Sequence, residues 1–300
     1  MSNKILVVCG PTASGKTSLA VECAKRLQTE IISADSMLVY QDLNIGTAKP
    51  SKEETSGIKH HLIDVVSPFE NFSVSDYEKQ GLPIINDLLA RGKTPIICGG
   101  TGFYVNALLY KSQFGNVGAS AEIRAKYEKF YQEQGASYLH ALLKSVDKES
   151  GEKLHENDVK RVIRALEIYE STGKPKSQQQ DQKIPRFSFV AVSVAYDRET
   201  LYSRINTRVE QMFEQGLLAE VQGLLSRGVE KTAQCMQGIG YKEIVEGIES
   251  GASIEEMKEL IKKNTRNYAK RQETFFKRTE NHVRLQPSAD LVDQVMEILQ

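Results

Sequence analysis

The chain has 300 residues, with 39 Lys and Arg against 39 Asp and Glu, 40% hydrophobic residues, 21 Gly and 8 Pro. Those figures exclude a disulfide-held mini-protein and a low-complexity chain, and zero net charge means that any nucleic-acid or membrane partner must be read from local charge. No run reaches the roughly 18 apolar residues of a membrane span, no signal-peptide pattern opens the chain, and the four cysteines form no CxxC pair. A cytoplasmic protein with reduced thiols and neither zinc site nor membrane partner is expected.

In chain order, Lys4 to Cys9 reads as a strand, followed by a Gly-rich turn and a helix from Thr17 to Leu27. A second strand, Glu30 to Ser33, ends at Asp35-Ser36. Asp76 to Arg91 is helical in pattern, and a third strand, Thr94 to Cys98, ends in Gly99-Gly100-Thr101-Gly102. Alternating strands and helices predict an α/β fold of P-loop type, with a mostly parallel sheet and a ligand site where the three strand ends converge. Charged helical segments follow at Glu122 to Gln134, Tyr138 to Lys144 and Asp158 to Thr172. They predict a helical insertion domain over 113–185, interrupting a core made of 1–112 and 186–300. The polar stretch Lys176 to Lys183 reads as a mobile loop. Phe187 to Tyr196 then reads as a strand, Asp197 as the cap of a helix reaching about Gln215, and the last third as mostly helical.

Gly10-Pro11-Thr12-Ala13-Ser14-Gly15-Lys16-Thr17 fits G-x-x-x-x-G-K-[ST] between a predicted strand and a predicted helix. Backbone amides of such a loop curl around a phosphate, Lys16 adds a full charge, and the Thr17 hydroxyl can hold Mg²⁺. A hydrolase of this class adds a strand ending in Asp to hold the metal, whereas the strand ending at Cys98 runs into glycines. Asp35 ends a strand instead, and reads either as a general base facing the phosphate loop or as a turn-capping carboxylate. Arg204 and Arg208, one helical turn apart, read as a clamp on a leaving diphosphate or as a solvated face. Over 262–284, eight Lys and Arg stand against Glu273 and Glu280, with Tyr268, Phe275 and Phe276 interleaved. Such a segment suits RNA or a charged helix packed on the core.

Taken together, GPTASGKT (10–17), DSMLVY (35–40), IGTAKP (45–50), HHLID (60–64), GGTGFY (99–104), NDVKRVIRALEIYESTGKP (157–175), LYSRINTRV (201–209), GIGYKE (238–243) and YAKRQETFFK (268–277) resemble the bacterial tRNA dimethylallyltransferases. Leu38 and Glu156 depart from the family's usual Gln and Pro. The resemblance implies transfer of a dimethylallyl group from its diphosphate to N6 of the adenosine 3′ of the anticodon, in tRNAs reading codons that begin with U. It implies a monomer using Mg²⁺, with Asp35 as base, Thr101 orienting the adenine, and Lys16, Thr17 and Arg208 easing diphosphate departure. By motif matching it further implies tRNA contacts at Asp35, Ser36, Met37, Leu38, Thr101, Arg124, Lys160, Arg161, Val162, Ile163, Arg164, Gln237, Gly238, Ile239, Gly240, Tyr241, Lys242, Lys270, Arg271 and Lys277. A prenyltransferase of free adenine nucleotides, a small-molecule kinase and a nucleotide-sensing RNA-binding protein remain open alternatives. The first would need no basic surface, the second would transfer phosphate, and the third would bind tRNA without modifying it.

Overall fold

The computed structural model describes residues 4–111, 120–178 and 184–300. They form two compact units, Met1–Tyr110 with Pro185–Gln300, and Lys111–Ile184. The predicted boundary at Gln113 and most of the predicted Gln-rich loop lie outside the described residues.

In the larger unit, six strands form one sheet: β1 (Lys4–Cys9), β2 (Ile31–Ser33), β3 (His60–His61), β4 (Ile96–Gly99), β5 (Ser188–Val194) and β6 (His282–Leu285). Their order is β3-β2-β4-β1-β5-β6, with every neighbouring pair parallel. In β1, Ile5, Val7 and Cys9 pack into the core on one face, and Leu6 and Val8 into the core on the other. Burial on both faces explains why Lys4–Cys9 reads as a continuous apolar run rather than an alternating one.

Register brings the strand ends level: Cys9 lies opposite Gly99, and Ser33 opposite Cys98. Pairing continues past the strands, since the Ala34 amide donates to Cys98 O (2.8 Å) and the Thr101 amide to Ala34 O (3.0 Å). The approach requires Gly99, because a Cβ there would sit 2.1 Å from Ala34 O. The expected convergence of three strand ends is therefore met, in the row where open parallel sheets bind ligands.

Two short strands complete the edges of the sheet, one of them in the otherwise mostly helical last third. The last third contains β6, and His60–His61 forms β3. Both are short edge strands in which Leu285 alone is buried, so neither shows the apolar run of a buried strand.

The smaller unit is helical: Ala121–Val146, Lys148–Lys153 and Val159–Thr172. The first joins the two predicted helices, with the backbone breaking only at Gly135 (φ 82°, ψ 177°). Tyr127, Leu139, Leu143, Val162 and Leu166 form its core. Glu167 is fully buried there and accepts from the Ser120 amide (2.7 Å), Arg124 Nε (3.1 Å) and Arg164 Nη1 (2.7 Å). Burial alone would raise its pKa, but these donors reverse the sign and hold it ionised.

Candidate active site

The turn after β1 takes a shape that ordinary side chains resist, with φ of 127° at Gly10, 61° at Ala13 and 79° at Gly15. Ser14 Oγ and Lys16 Nζ both donate to Pro11 O, at 2.8 Å and 2.5 Å, closing the loop on itself. Gly15 caps the Lys16–Leu27 helix, whose first turn carries no acid and exposes Thr17. The loop's backbone amides, the helix dipole and Lys16 together make a concave anion seat. Burial lowers the Lys16 pKa; Arg208 pushes the same way, while Cys98 and Asp35 oppose.

Two distant helices hold this loop. Gln272, buried on Ile254–Phe276, accepts from the Thr12 amide (2.9 Å) and donates to Gly100 O (2.9 Å), tying the first strand end to the third. A Cβ on Gly100 would strike Gln272 at 2.1 Å, so glycine here makes room for the crossbar. On Arg198–Glu214, which Asp197 caps as expected, the two arginines differ in role. Arg204 Nε donates to Ala13 O (2.7 Å) with its guanidinium over the Tyr196 ring, buttressing the loop. Arg208 reaches Thr12 Oγ1 (3.5 Å) and lines the cavity in front of the loop.

Asp35 makes the turn-capping contact of one sequence reading and lines the cavity that the other reading requires. Its Oδ1 accepts from the Met37 amide (2.9 Å), which is turn capping, while among the described residues Oδ2 takes no protein hydrogen bond. Thr101 Oγ1 accepts from the Ser36 amide (3.0 Å), fixing the second strand end to the third. Tyr268 stands close by: burial, reinforced by the charge of Asp35, pushes its phenol up to about 12.

Two cavities meet at this point. One, about 490 Å³, runs along the glycine-rich loop and includes Lys16, Thr17 and Gly100 in its wall. The other, about 340 Å³, is more apolar and is walled by Met37, Ile205, Val209 and Gly238 to Gly240. Thr12, Asp35, Thr47, Arg208 and Tyr268 belong to both walls. A group held by the loop and a flat group in the second cavity would therefore face each other beside Asp35.

The segment from Asn44 to Pro50 forms part of both walls and hangs on one carboxylate. Glu220 accepts from the amides of Asn44 (2.9 Å), Ile45 (2.8 Å) and Gly46 (3.2 Å) and from the Tyr241 hydroxyl (2.6 Å). Glu220 was not singled out in the sequence, and Gln272 entered only within the 270–277 stretch matched for RNA contact, not as a support of the loop. Each acts across a long sequence separation, and their only local trace is the motif around Gln272.

The structure places some of the expected RNA contacts in the interior and others at the surface. Tyr241 is fully buried with its ring against Gly46, and Val162 and Ile163 are core residues of the helical unit, so these side chains present no surface. Arg124 and Arg164 pair with Glu167 while part of each side chain stays at the surface. In the basic segment, Lys262 pairs with Glu210 and Glu259, and Arg266 donates to Asn206, whereas Lys270, Arg271 and Lys277 are exposed. Lys160, Arg161, Gln237 and Lys242 are also exposed, and Leu38 is half-buried in the wall of the larger cavity.

For Mg²⁺, the described residues hold no cluster of three or more His, Cys, Asp or Glu. The exposed Thr17 hydroxyl beside the anion seat, with Asp35 in the same cavity wall, nonetheless fits a hard cation that keeps its waters and binds through phosphate oxygens. No described helix is long and apolar enough to cross a membrane.

Comparison with known proteins gives a consistent result. A family model described as IPP transferase matches residues 38–279. A tRNA dimethylallyltransferase of Acetivibrio thermocellus is 49% identical over 282 residues, covering 93% of this chain and 90% of its own. Among solved structures, a tRNA isopentenylpyrophosphate transferase from Staphylococcus epidermidis is 41% identical with a TM-score of 0.72, covering 99% of this chain and 98% of its own. A eukaryotic dimethylallyltransferase described as acting on tRNA is 28% identical with a TM-score of 0.84, covering 99% of this chain and 78% of its own.

Proposed function

The chain belongs to the IPP transferase family, and on that premise we propose that it transfers a dimethylallyl group from dimethylallyl diphosphate to N6 of the adenosine immediately 3′ of the anticodon, in tRNAs reading codons that begin with U. The single observation that carries the assignment of roles is Asp35 on the common wall of two cavities, one built for an anion and one more apolar.

In this reading the Gly10 to Thr17 loop is a P-loop that seats a leaving group rather than a nucleotide to be hydrolysed. The allylic C–O bond breaks, its electron pair leaves with the diphosphate, and the adenine N6 forms the new C–N bond. Loop amides, Lys16 and Arg208 stabilise the charge that develops on the diphosphate. Arg204 and Gln272 keep the loop in shape. Bound Mg²⁺, held by Thr17 and the diphosphate oxygens, would add further charge neutralisation. N6 is a weak nucleophile because its lone pair is delocalised into the ring. Asp35 Oδ2 takes its proton as attack proceeds, while the Met37 amide holds Oδ1 and so fixes the carboxylate plane. Thr101 orients the base from the neighbouring strand end. An adenosine stacked in its loop cannot reach this depth, so the base enters flipped out, and Lys270, Arg271 and Lys277 bind the surrounding RNA.

The test is product identification. The protein is incubated with Mg²⁺, labelled dimethylallyl diphosphate and either unmodified tRNA or AMP, and the products are digested and separated. Label on the adenosine next to the anticodon, with none on AMP, is the expected result. Label confined to AMP, or absent from both, contradicts the proposal.

A further inference from the structure

One exposed aromatic beside the candidate site has no part in the scheme above. Phe103 follows the Gly99 to Gly102 turn and is 68% exposed, the most exposed large hydrophobic among the described residues. Its ring is not loose on the surface. It meets Phe275 edge to face (5.9 Å between centroids, 62°), and Phe275 meets the buried Phe276 in the same way (5.4 Å, 76°). Phe275 is pressed onto the turn itself, since a Cβ on Gly102 would fall 2.2 Å from its ring. Thr101, two residues before Phe103, is bonded to Ser36 next to Asp35. The aromatic platform is thus braced by the core and tied to the reacting end of the site.

Cations outnumber acids around Phe275, where Glu273 and Glu280 are the only acids over 262–284. Lys270 and Arg271 precede Phe275 by about one helical turn, and Lys277 and Arg278 follow it. All four are exposed, and none forms an ion pair among the described residues, unlike Lys262 on the same helix. Arg271 also lines the second cavity. An exposed, rigid ring among unneutralised cations is complementary to a polyanion that offers flat faces, which single-stranded RNA does.

We propose that Phe103, backed by Phe275, is a stacking platform for a nucleotide directly adjoining the flipped adenosine. The proposal rests on the tRNA reading. Extruding one base removes a stacking partner from its neighbours, and the platform replaces that partner while Lys270, Arg271, Lys277 and Arg278 hold the flanking phosphates. Because every base has a π-face, the contact fixes position without selecting sequence.

Phe103→Ala and Phe103→Trp would be compared with the native chain using an anticodon stem-loop RNA carrying 2-aminopurine on either side of the acceptor adenosine. Native protein and Phe103→Trp should quench the probe at one of the two positions on binding. Phe103→Ala should lose that quenching and bind the RNA about 10-fold more weakly, a size typical of one lost base–aromatic stack. Its melting temperature and KM for dimethylallyl diphosphate should not change, which separates lost stacking from structural damage. Unchanged RNA affinity and quenching in Phe103→Ala, with prenylation intact in the native chain, would overturn the platform and leave the enzyme reading standing. Failure of the native chain to bind or prenylate the RNA would overturn both.

Discussion

Lys16 illustrates how a local motif sets chemistry that its neighbours then tune. Burial lowers its pKa, whereas a bound diphosphate favours the ammonium form and raises it again. Donor affinity should therefore be greatest below the free-state pKa and fall as pH rises through it, with proton uptake on binding in that range. Calorimetry in buffers of different ionisation enthalpy measures this, and binding without proton linkage throughout the alkaline range would contradict it. Gln272 makes a second residue-scale prediction. Its truncation to Ala leaves the Thr12 amide and Gly100 carbonyl without their partner, costing about 1–3 kcal/mol. Denaturant unfolding should register the loss, and KM for the donor should rise more than tRNA affinity falls. The glycine-rich loop and Asp35 were legible because their signatures lie within a few adjacent positions. The bracing role of Gln272 was not, since its partner Thr12 is 260 positions away and the motif around it points only to the surface cations beside it.

At the scale of elements, the segment from Asn44 to Pro50 depends on Glu220, which gathers three amides and one hydroxyl. Glu220→Ala should raise KM for both substrates, because the segment walls both cavities, while Tyr241→Phe should have a smaller effect in the same direction. Steady-state kinetics with each substrate varied in turn would show this, and unchanged KM values in Glu220→Ala would remove the carboxylate from the site's support. The same cluster explains why Tyr241 reads misleadingly. Motif matching makes Tyr241 an RNA contact, yet its ring fills the space that Gly46 vacates across the fold.

Far from the site, Glu30 bonds to Arg91 and His61, and the Arg91 hydrogen bond leads in holding its carboxyl down at about 2. Its folded-state pKa is depressed, so its stabilisation is present above about 4.5 and is lost as pH falls toward 2. Glu30→Gln should be less stable than the native chain at neutral pH, with the gap closing over that window. A gap independent of pH in denaturant titrations would contradict this. The ion pairs involved are partly exposed, so the effect should be modest and weaken with salt.

Over the whole molecule, neutrality conceals an uneven distribution of charge. Pairing with Glu210 and Glu259 removes Lys262 from the basic segment read in the sequence, but Lys270, Arg271, Lys277 and Arg278 stay exposed. Affinity for tRNA should fall steeply with ionic strength despite zero net charge, because phosphate contacts release counterions. A flat salt dependence would argue against these side chains as the docking surface. The parallel sheet was legible from its buried central strands, whose apolar runs are unambiguous. The edge strands His60–His61 and His282–Leu285 were not, because sheet position rather than composition makes them strands.

The central claim is that Asp35 performs proton removal where two separately bound substrates meet. Asp35→Asn keeps the size and an acceptor for the Met37 amide while removing the base. Single-turnover prenyl transfer should slow by roughly 10²–10⁴-fold, with the dissociation constants for donor and tRNA each within about 3-fold of native, too small a change to account for the rate. A near-native transfer rate in Asp35→Asn, both substrates bound, would contradict it.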